Sequence, residues 1–240
     1  MALLSVNVNK IALLRNSRGA DFPNVLKVSQ DLVKAGADGI TIHPRPDERH
    51  IKYSDASILK EALDVELNIE GYPTEKFMDM VCEVKPAQCT LVPDPPDALT
   101  SSDGWDCKTH MSFLQEVTGR LRENGVRSSI FLNPEPEMVP YAVDCGTDRI
   151  ELYTEMYASS YGTDKQEEVF SWYQNTAEIA VKSGLGLNAG HDLNQENLGF
   201  FVKNIAGLQE VSIGHALVVE MIYQGMETTV ANYQKILRGE

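Results

Sequence analysis

The chain is short of several things, and each shortage removes a class of function. It has no run of about 18 apolar residues, roughly the length a helix needs to cross a bilayer, so nothing in it reads as a membrane span. Basic residues are outnumbered: 21 Lys and Arg stand against 35 Asp and Glu, a formal net charge of −14. Nucleic acid and anionic membrane surfaces repel such a protein, so neither is expected as a partner. A small anionic substrate stays admissible, because one pocket can be positive on an acidic chain. Cysteine is scarce: Cys82, Cys89, Cys107 and Cys145. They form no CxxC pair and no Cys/His cluster, so they read as small core residues and not as a structural zinc site. The N-terminal MALLSVNVNK has no basic segment leading into a long apolar stretch, so no secretory signal is expected. The expected compartment is a reducing cytoplasm. No low-complexity linker or charge block divides the chain, which is therefore expected to be one domain over residues 1–240.

What is present is a repeating alternation. Eight β-rich runs recur: LLSVNVN (3–9), GITIHP (39–44), ELNIEG (66–71), QCTLVP (88–93), RSSIFLN (127–133), RIELYT (149–154), GLGLNAG (184–190) and QEVSIGH (209–215). Helical periodicity fills most of the gaps. Apolar residues at Val25, Leu26, Val28, Leu32 and Val33 predict a helix over Asn24–Ala35, stopped by AGAD. Further helices are predicted from Pro73-Thr74-Glu75 through Val81, over Lys108–Asn124, and over Asp164–Ser183. Eight strand–helix units in 240 residues predict a parallel α/β protein, a closed (β/α)8 TIM barrel with additional helices. An open doubly wound sheet is the weaker alternative, because no GxGxxG turn follows the first strand. The segment PDPPDALTSSDGWD (93–106) reads as a long functional loop.

A barrel places its chemistry at the C-terminal ends of its strands. Those ends carry Asn7, Asn9 and Lys10; His43 and Arg45; Asn68 and Glu70; Asn133; Glu151 and Tyr153; His191; and Gly214-His215. Four of the five histidines fall at or just after strand ends, and only His110 is predicted inside a helix. Asn68 and Glu70 alternate with Ile69 and are expected to face the barrel mouth. Asp47, Glu48 and Arg49 read as a solvated loop face. His43, Glu70, Glu151 and His191, on four separate strands, suit acid–base work, since imidazoles and carboxylates around one pocket have tunable proton affinities. Gly190-His191 and Gly214-His215 read as glycine turns leading into helix N-termini, which bind phosphate through backbone N–H groups. Arg15, Arg18 and Gly19 read as a cationic loop for a second anion.

Together, VNVNKIALLRNSRG, GADGITIHPRPDERHI, LNIEG, LVPD, GLGLNAGH and SIGHALV resemble the pyridoxine 5′-phosphate synthase family of vitamin B6 biosynthesis, in order and over nearly the whole chain. The resemblance implies a (β/α)8 barrel with additional helices, assembled as a homo-octamer. It implies condensation of 1-deoxy-D-xylulose 5-phosphate with 3-amino-2-oxopropyl phosphate, needing no metal or organic cofactor. It implies that His43 and Glu70 accept protons, that His191 donates one, and that Glu151 stabilises charge. Asn7 and Arg18 match positions holding the aminoketone phosphate. Arg45, His50 and Thr100 match positions holding the deoxyxylulose phosphate, and residues 192, 214 and 215 match backbone turns at a phosphate. Two departures stand out. Asn9-Lys10 replaces an Asp-His found in many members, and Asp192 stands where glycine is frequent.

Three other readings compete. A metal-dependent phosphosugar epimerase or isomerase would use His43, Glu70 and His191 as ligands. A Schiff-base aldolase would need a lysine inside the barrel, and Lys10 is the one strand-end candidate. A non-catalytic phosphate-binding barrel would carry Asn9-Lys10 as the mark of lost chemistry.

Overall fold

Every β-rich run forms a strand: β1 (Leu3–Asn7), β2 (Gly39–Ile42), β3 (Glu66–Gly71), β4 (Gln88–Leu91), β5 (Arg127–Leu132), β6 (Arg149–Tyr153), β7 (Gly186–His191) and β8 (Leu208–Ile213). In the computed structural model, which describes residues 1–94 and 103–240, each strand pairs in parallel with its sequence neighbour. β1 then pairs with β8 and closes the barrel. The fold is a TIM barrel, as the alternation predicts.

The helices are α1 (Asn9–Asn16), α2 (Val25–Ala35), α3 (Tyr53–Ala62), α4 (Glu75–Val84), α5 (Met111–Glu123), α6 (Val139–Asp144), α7 (Glu155–Ser160), α8 (Gln166–Lys182), α9 (Leu198–Asn204), α10 (His215–Gln224) and α11 (Met226–Arg238). Local chemistry sets their ends. Asn24 caps α2 by accepting the Lys27 N–H at 2.7 Å, and Gly36, with φ at 115°, ends it. Thr74 caps α4 through the Phe77 N–H at 3.2 Å. The helix predicted over Lys108–Asn124 begins later, at Met111. His110 is its N-cap residue and not a helical one, its ring edge-on to Trp105 at 5.3 Å.

Strand side chains alternate between faces, and here the two faces differ in kind. Leu4, Val6, Ile40, Ile42, Leu67, Ile69, Leu91, Ile130, Leu132, Ile150, Leu152, Leu187, Val211 and Ile213 are fully or almost fully buried in the hydrophobic core. Burying each such side chain contributes roughly 1.5–3 kcal/mol. The alternate residues are mostly polar, Phe131 and some glycines apart, and meet one another inside the barrel. Ser5 and Thr41 hydroxyls lie 2.6 Å apart, Thr90 donates to Asn68 at 3.1 Å, and Asn188 reaches Gln88 at 3.4 Å. So the barrel interior is largely a hydrogen-bonded polar column, which finishes in carboxyls toward the C-terminal ends of the strands. Cys89, Cys107 and Cys145 are buried, as the sequence suggests, and Cys82 is half-buried.

Candidate active site

The sequence ELNIEG puts Glu66, Asn68 and Glu70 on the inner face of β3, with Glu70 nearest the C-terminal mouth. RIELY does the same on β6 with Arg149, Glu151 and Tyr153. Glu70 and Glu151 are fully enclosed, at 1 % and 0 % exposure. Each faces a histidine from a neighbouring strand end. His43 Nδ1 lies 3.9 Å from Glu70 Oε2, and His191 Nδ1 lies 3.9 Å from Glu151 Oε1. The Asn7 amide donates to Glu70 Oε2 at 3.3 Å, and Thr90 Oγ1 lies 3.4 Å from Glu151 Oε2. Glu70 Oε1, Glu151 Oε1 and His191 Nδ1 have no hydrogen-bond partner among the described residues. Buried polar atoms are costly to leave unpaired, so their concentration at one mouth marks a place built for something other than stability.

Burial sets the protonation of this cluster. It pushes Glu70 up to about 8, helped by the nearby charges of Asp94 and Glu210. It pushes Glu151 well above the usual carboxylate range, with Glu70 and Glu210 adding repulsion. The histidines move the other way. Burial, with Arg45 next, holds His191 down to about 4 and His43 well below its ordinary value. Near neutral pH the resting cluster therefore carries its protons on the carboxyls and leaves both imidazoles neutral.

The remaining candidates divide. Arg45 is buried beside this cluster, its guanidinium donating to Asp94 at 2.9 Å. His50 stands edge-on to His43 at 6.3 Å, and its Nδ1 accepts the Ile51 N–H at 2.9 Å. Burial and Arg45 hold His50 at about 4. Asn7 Oδ1 accepts the Asn9 N–H at 3.0 Å, and Asn9 Oδ1 accepts the His43 N–H at 2.9 Å. Asn9 thus ties the end of β1 to the end of β2. Lys10 is exposed on the first turn of α1, outside the barrel, so it is not placed as an interior Schiff-base lysine would be. Arg18 is exposed in the turn after α1 and pairs with none of the cluster. Gly214 is the N-cap residue of α10, and a Cβ there would lie 3.1 Å from Asn7 Cβ. His215 is exposed at the helix start, and Asp192 is exposed just beyond β7. Thr100 lies outside the described residues, as does most of the 93–106 segment.

Two expectations need correction. Arg15 is no part of an anion-binding loop. Its guanidinium is buried, bidentate to Asp55 at 2.8 and 2.9 Å, and donates to the His50 carbonyl at 3.0 Å. It braces the HPRPDERHI loop against α1 and α3. The Gly190-His191 turn does not lead straight into a helix either, because Gly190 is still in β7, paired with Ser212, and α9 begins only at Leu198. The solvated reading holds for Asp47 and Glu48, which are exposed, but Arg49, expected with them, is half-buried and pairs with Asp47.

The model of the family described as pyridoxal phosphate biosynthesis protein PdxJ matches residues 4–239. The chain belongs to this family. It is 52% identical over 237 residues to the pyridoxine 5′-phosphate synthase of Parabacteroides distasonis, covering 99% of each chain. It is 52% identical over 238 residues to that of Bacteroides thetaiotaomicron, covering 99% of this chain and 100% of the relative. Among solved structures, 3-keto-L-gulonate-6-phosphate decarboxylase from Vibrio cholerae superposes with a TM-score of 0.67 at 12% identity, over 100% of this chain and 99% of that one. Phosphoribosyl anthranilate isomerase from Thermotoga maritima gives 0.63 at 14% identity, over 100% of both. At such identities these two speak for the barrel alone.

Within this PdxJ-family barrel, several contacts at the site escaped the sequence reading. Thr90 hydrogen-bonds Glu151, Asp94 pairs with Arg45, and Phe131 lies against His191 with ring centroids 4.7 Å apart. Thr90 and Phe131 were within reach, because each falls on the inward period of its strand. Asp94 had no such signal. Among the described residues, no group of three or more His, Cys, Asp or Glu side chains is arranged to hold a metal ion, and no helix is long and apolar enough to cross a membrane.

Proposed function

We propose that the chain is a pyridoxine 5′-phosphate synthase. It joins 1-deoxy-D-xylulose 5-phosphate to 3-amino-2-oxopropyl phosphate and releases pyridoxine 5′-phosphate, inorganic phosphate and water. The observation that carries the reading is the pair of histidine–glutamate couples at the barrel mouth, their carboxyls buried, in a chain half identical over its length to proteins bearing that name. The condensation needs an amine added to a ketone, protons removed from carbon, and protons delivered to departing oxygens. Each couple sets an imidazole 3.9 Å from a carboxyl, so the two groups titrate under each other's influence. With the proton on the carboxyl, the imidazole is a base; with the proton on the imidazole, the carboxylate is one. His43 and Glu70 then serve as acceptors and His191 as donor, with Glu151 Oε1, 3.9 Å from its Nδ1, stabilising the charge that develops.

The anionic substrates need anchors. Arg45, His50 and Thr100 hold the deoxyxylulose phosphate. Asn7, Arg18 and the backbone at Asp192, Gly214 and His215 hold the aminoketone phosphate, the start of α10 offering free N–H groups. Asn9 and Lys10 border the first of these sites, Asn9 by fixing the His43 backbone and Lys10 by its charge near His50. Holding both phosphates makes a bimolecular reaction effectively unimolecular, worth on the order of 7 kcal/mol of the barrier at best. The whole chain, 1–240, acts as one domain in the cytoplasm. The homo-octamer is part of the same proposal: Leu13 and Leu14 on α1, and Ile222 and Tyr223 on α10, are apolar and exposed on two helices in contact, a surface suited to self-association.

The test is product formation by purified protein, with the unstable aminoketone phosphate generated in place, and Glu70→Gln run beside it. Product from wild type and far less from the variant is expected. Binding of both substrates without product would favour a lapsed, phosphate-binding barrel. Sedimentation of the same sample reads the assembly.

A further inference from the structure

Thr154 follows β6 and occupies the N-cap position of α7. A threonine there ordinarily turns its hydroxyl onto a backbone N–H of its own helix. This one makes no such bond. Its Oγ1 reaches across to β7, donating to the Gly190 carbonyl and accepting the Asp192 N–H at 3.3 Å. The residue bracketed by those two bonds is His191.

His191 needs a bracket. Its φ is 87°, in the left-handed region that residues with a Cβ rarely enter unless their surroundings enforce it. The backbone before it is equally constrained. A Cβ on Gly190 would stand 2.6 Å from the Ser212 carbonyl oxygen and 2.9 Å from Glu151 Oε1, so β7 approaches the carboxyl as closely as a chain can. Beyond it, the Asn197 amide donates to the Asp192 carbonyl at 3.1 Å. Thr154 is itself held from behind. The Tyr173 hydroxyl on α8 donates to the Tyr153 carbonyl at 2.8 Å and accepts the Tyr157 N–H at 3.3 Å. A chain of contacts therefore runs from α8, through the β6–α7 turn, to the one turn that aims the imidazole between Phe131, Tyr153 and Glu151.

We propose that Thr154 is a positioning residue for His191, its hydroxyl fixing the left-handed turn that carries the imidazole over Glu151. The proposal rests on the reading of His191 as a proton-transfer group. It makes a chemical demand that packing alone does not, since the hydroxyl must both donate and accept. Serine satisfies that demand, and the isosteric valine does not.

The experiment compares Thr154→Val and Thr154→Ser with wild type in steady-state kinetics, with NMR titration of the imidazoles and His191→Asn as a reference. The charged and titratable groups around the His191 ring are Glu151, Tyr153, Arg45 and His43. Valine is expected to lower kcat by about 10- to 100-fold, the scale of an ångström-level misplacement, with KM little changed. The His191 titration should move upward toward 6.5 as the ring leaves its buried seat, while His43 stays low. Serine should restore both. The proposal is overturned if valine leaves kcat intact, if serine fails to rescue, or if His43 moves as far as His191, which would mean general loosening. Should the valine variant not fold, Thr154→Ala carries the same expectations. Full activity in His191→Asn would instead bring down the reading of His191 on which the proposal stands, and that outcome is distinct from all the others.

Discussion

The two ends of this barrel are built from the same residue types and treat them in opposite ways. At the N-terminal end, Glu66 pairs with Arg127 and Glu210 with Arg149, and the Arg149 guanidinium also donates to Asn188 at 3.1 Å. Arg127 adds a bond to Gln88 at 3.0 Å. At the C-terminal end, Glu70 and Glu151 are more deeply buried yet have no cation in contact among the described residues, but neutral imidazoles 3.9 Å away and a bare oxygen each. Desolvating a charge is costly unless it is paired. One end accepts a guanidinium for each carboxylate and is inert. The other leaves its carboxyls able to gain and lose protons. The difference separates what closes the barrel from what works in it.

The sharpest way to break that comparison is Glu70→Gln. The amide keeps the shape and the bond from Asn7 but ends proton exchange with His43. Product formation should fall by about 10²- to 10⁴-fold, the usual range for a lost acid–base group, with the fold intact by circular dichroism. The matching change at the other end is Arg149→Met. It leaves Glu210 buried without its cation and should cost about 3–5 kcal/mol of stability by urea unfolding, with kcat per folded molecule near wild type. Burial already holds Glu210 above the ordinary carboxylate range, so the cost should shrink at acid pH, where that carboxyl is neutral.

How much of this was legible in the residues differs between the ends and the middle. The eight strands and the ends of α2 follow from short-range signals: β-branched runs, the Asn24 cap, the Gly36 stop. The inward placement of Glu70 and Glu151 also follows, because a period of two leaves no other face once Ile69 and Ile150 are assigned to the core. What the sequence could not reveal is pairing over distance. Arg15 reads as an anion-binding residue beside Arg18, yet its partner is Asp55, and nothing local to either residue announces the other. Thr154 reads as one more residue at a strand end, and its hydroxyl matters only because β7 passes within reach. Asp94 lies where β4 runs out, and its pairing with Arg45 is set by the closure of the barrel.

The pH dependence of stability sharpens the contrast with a smaller effect. Glu70 binds its proton more tightly folded, at about 8, than an unfolded glutamate does near 4.5. Between those values the folded chain holds more protons, so stability is greatest below the window and declines as pH rises through it. Glu70→Gln should remove that decline and be the more stable protein at pH 8, by up to about 4 kcal/mol, with little difference at pH 4. His191 acts with the opposite sign. Held down to about 4 against an ordinary 6.5, it costs stability as pH falls through that range. Melting curves from pH 4 to 8 for wild type, Glu70→Gln and His191→Asn separate the two limbs. A Glu70→Gln variant that tracks wild type at every pH would mean that the carboxyl is ionised in the folded chain.

The smallest effect is expected where the pairing is most conspicuous. Glu66 and Arg127 form a close ion pair at the N-terminal rim, but the Glu66 side chain is 49% exposed and water competes for it. Glu66→Gln should change stability by no more than about 1 kcal/mol, and less in high salt. The glutamine still accepts from Arg127, and Arg127 keeps its bond to Gln88. A loss as large as that of Arg149→Met would mean that the rim pairs act as one network with Glu210, the two arginines sharing the charge of both carboxylates. A double variant, Glu66→Gln with Arg149→Met, distinguishes the cases: independent pairs add, whereas a network departs from additivity.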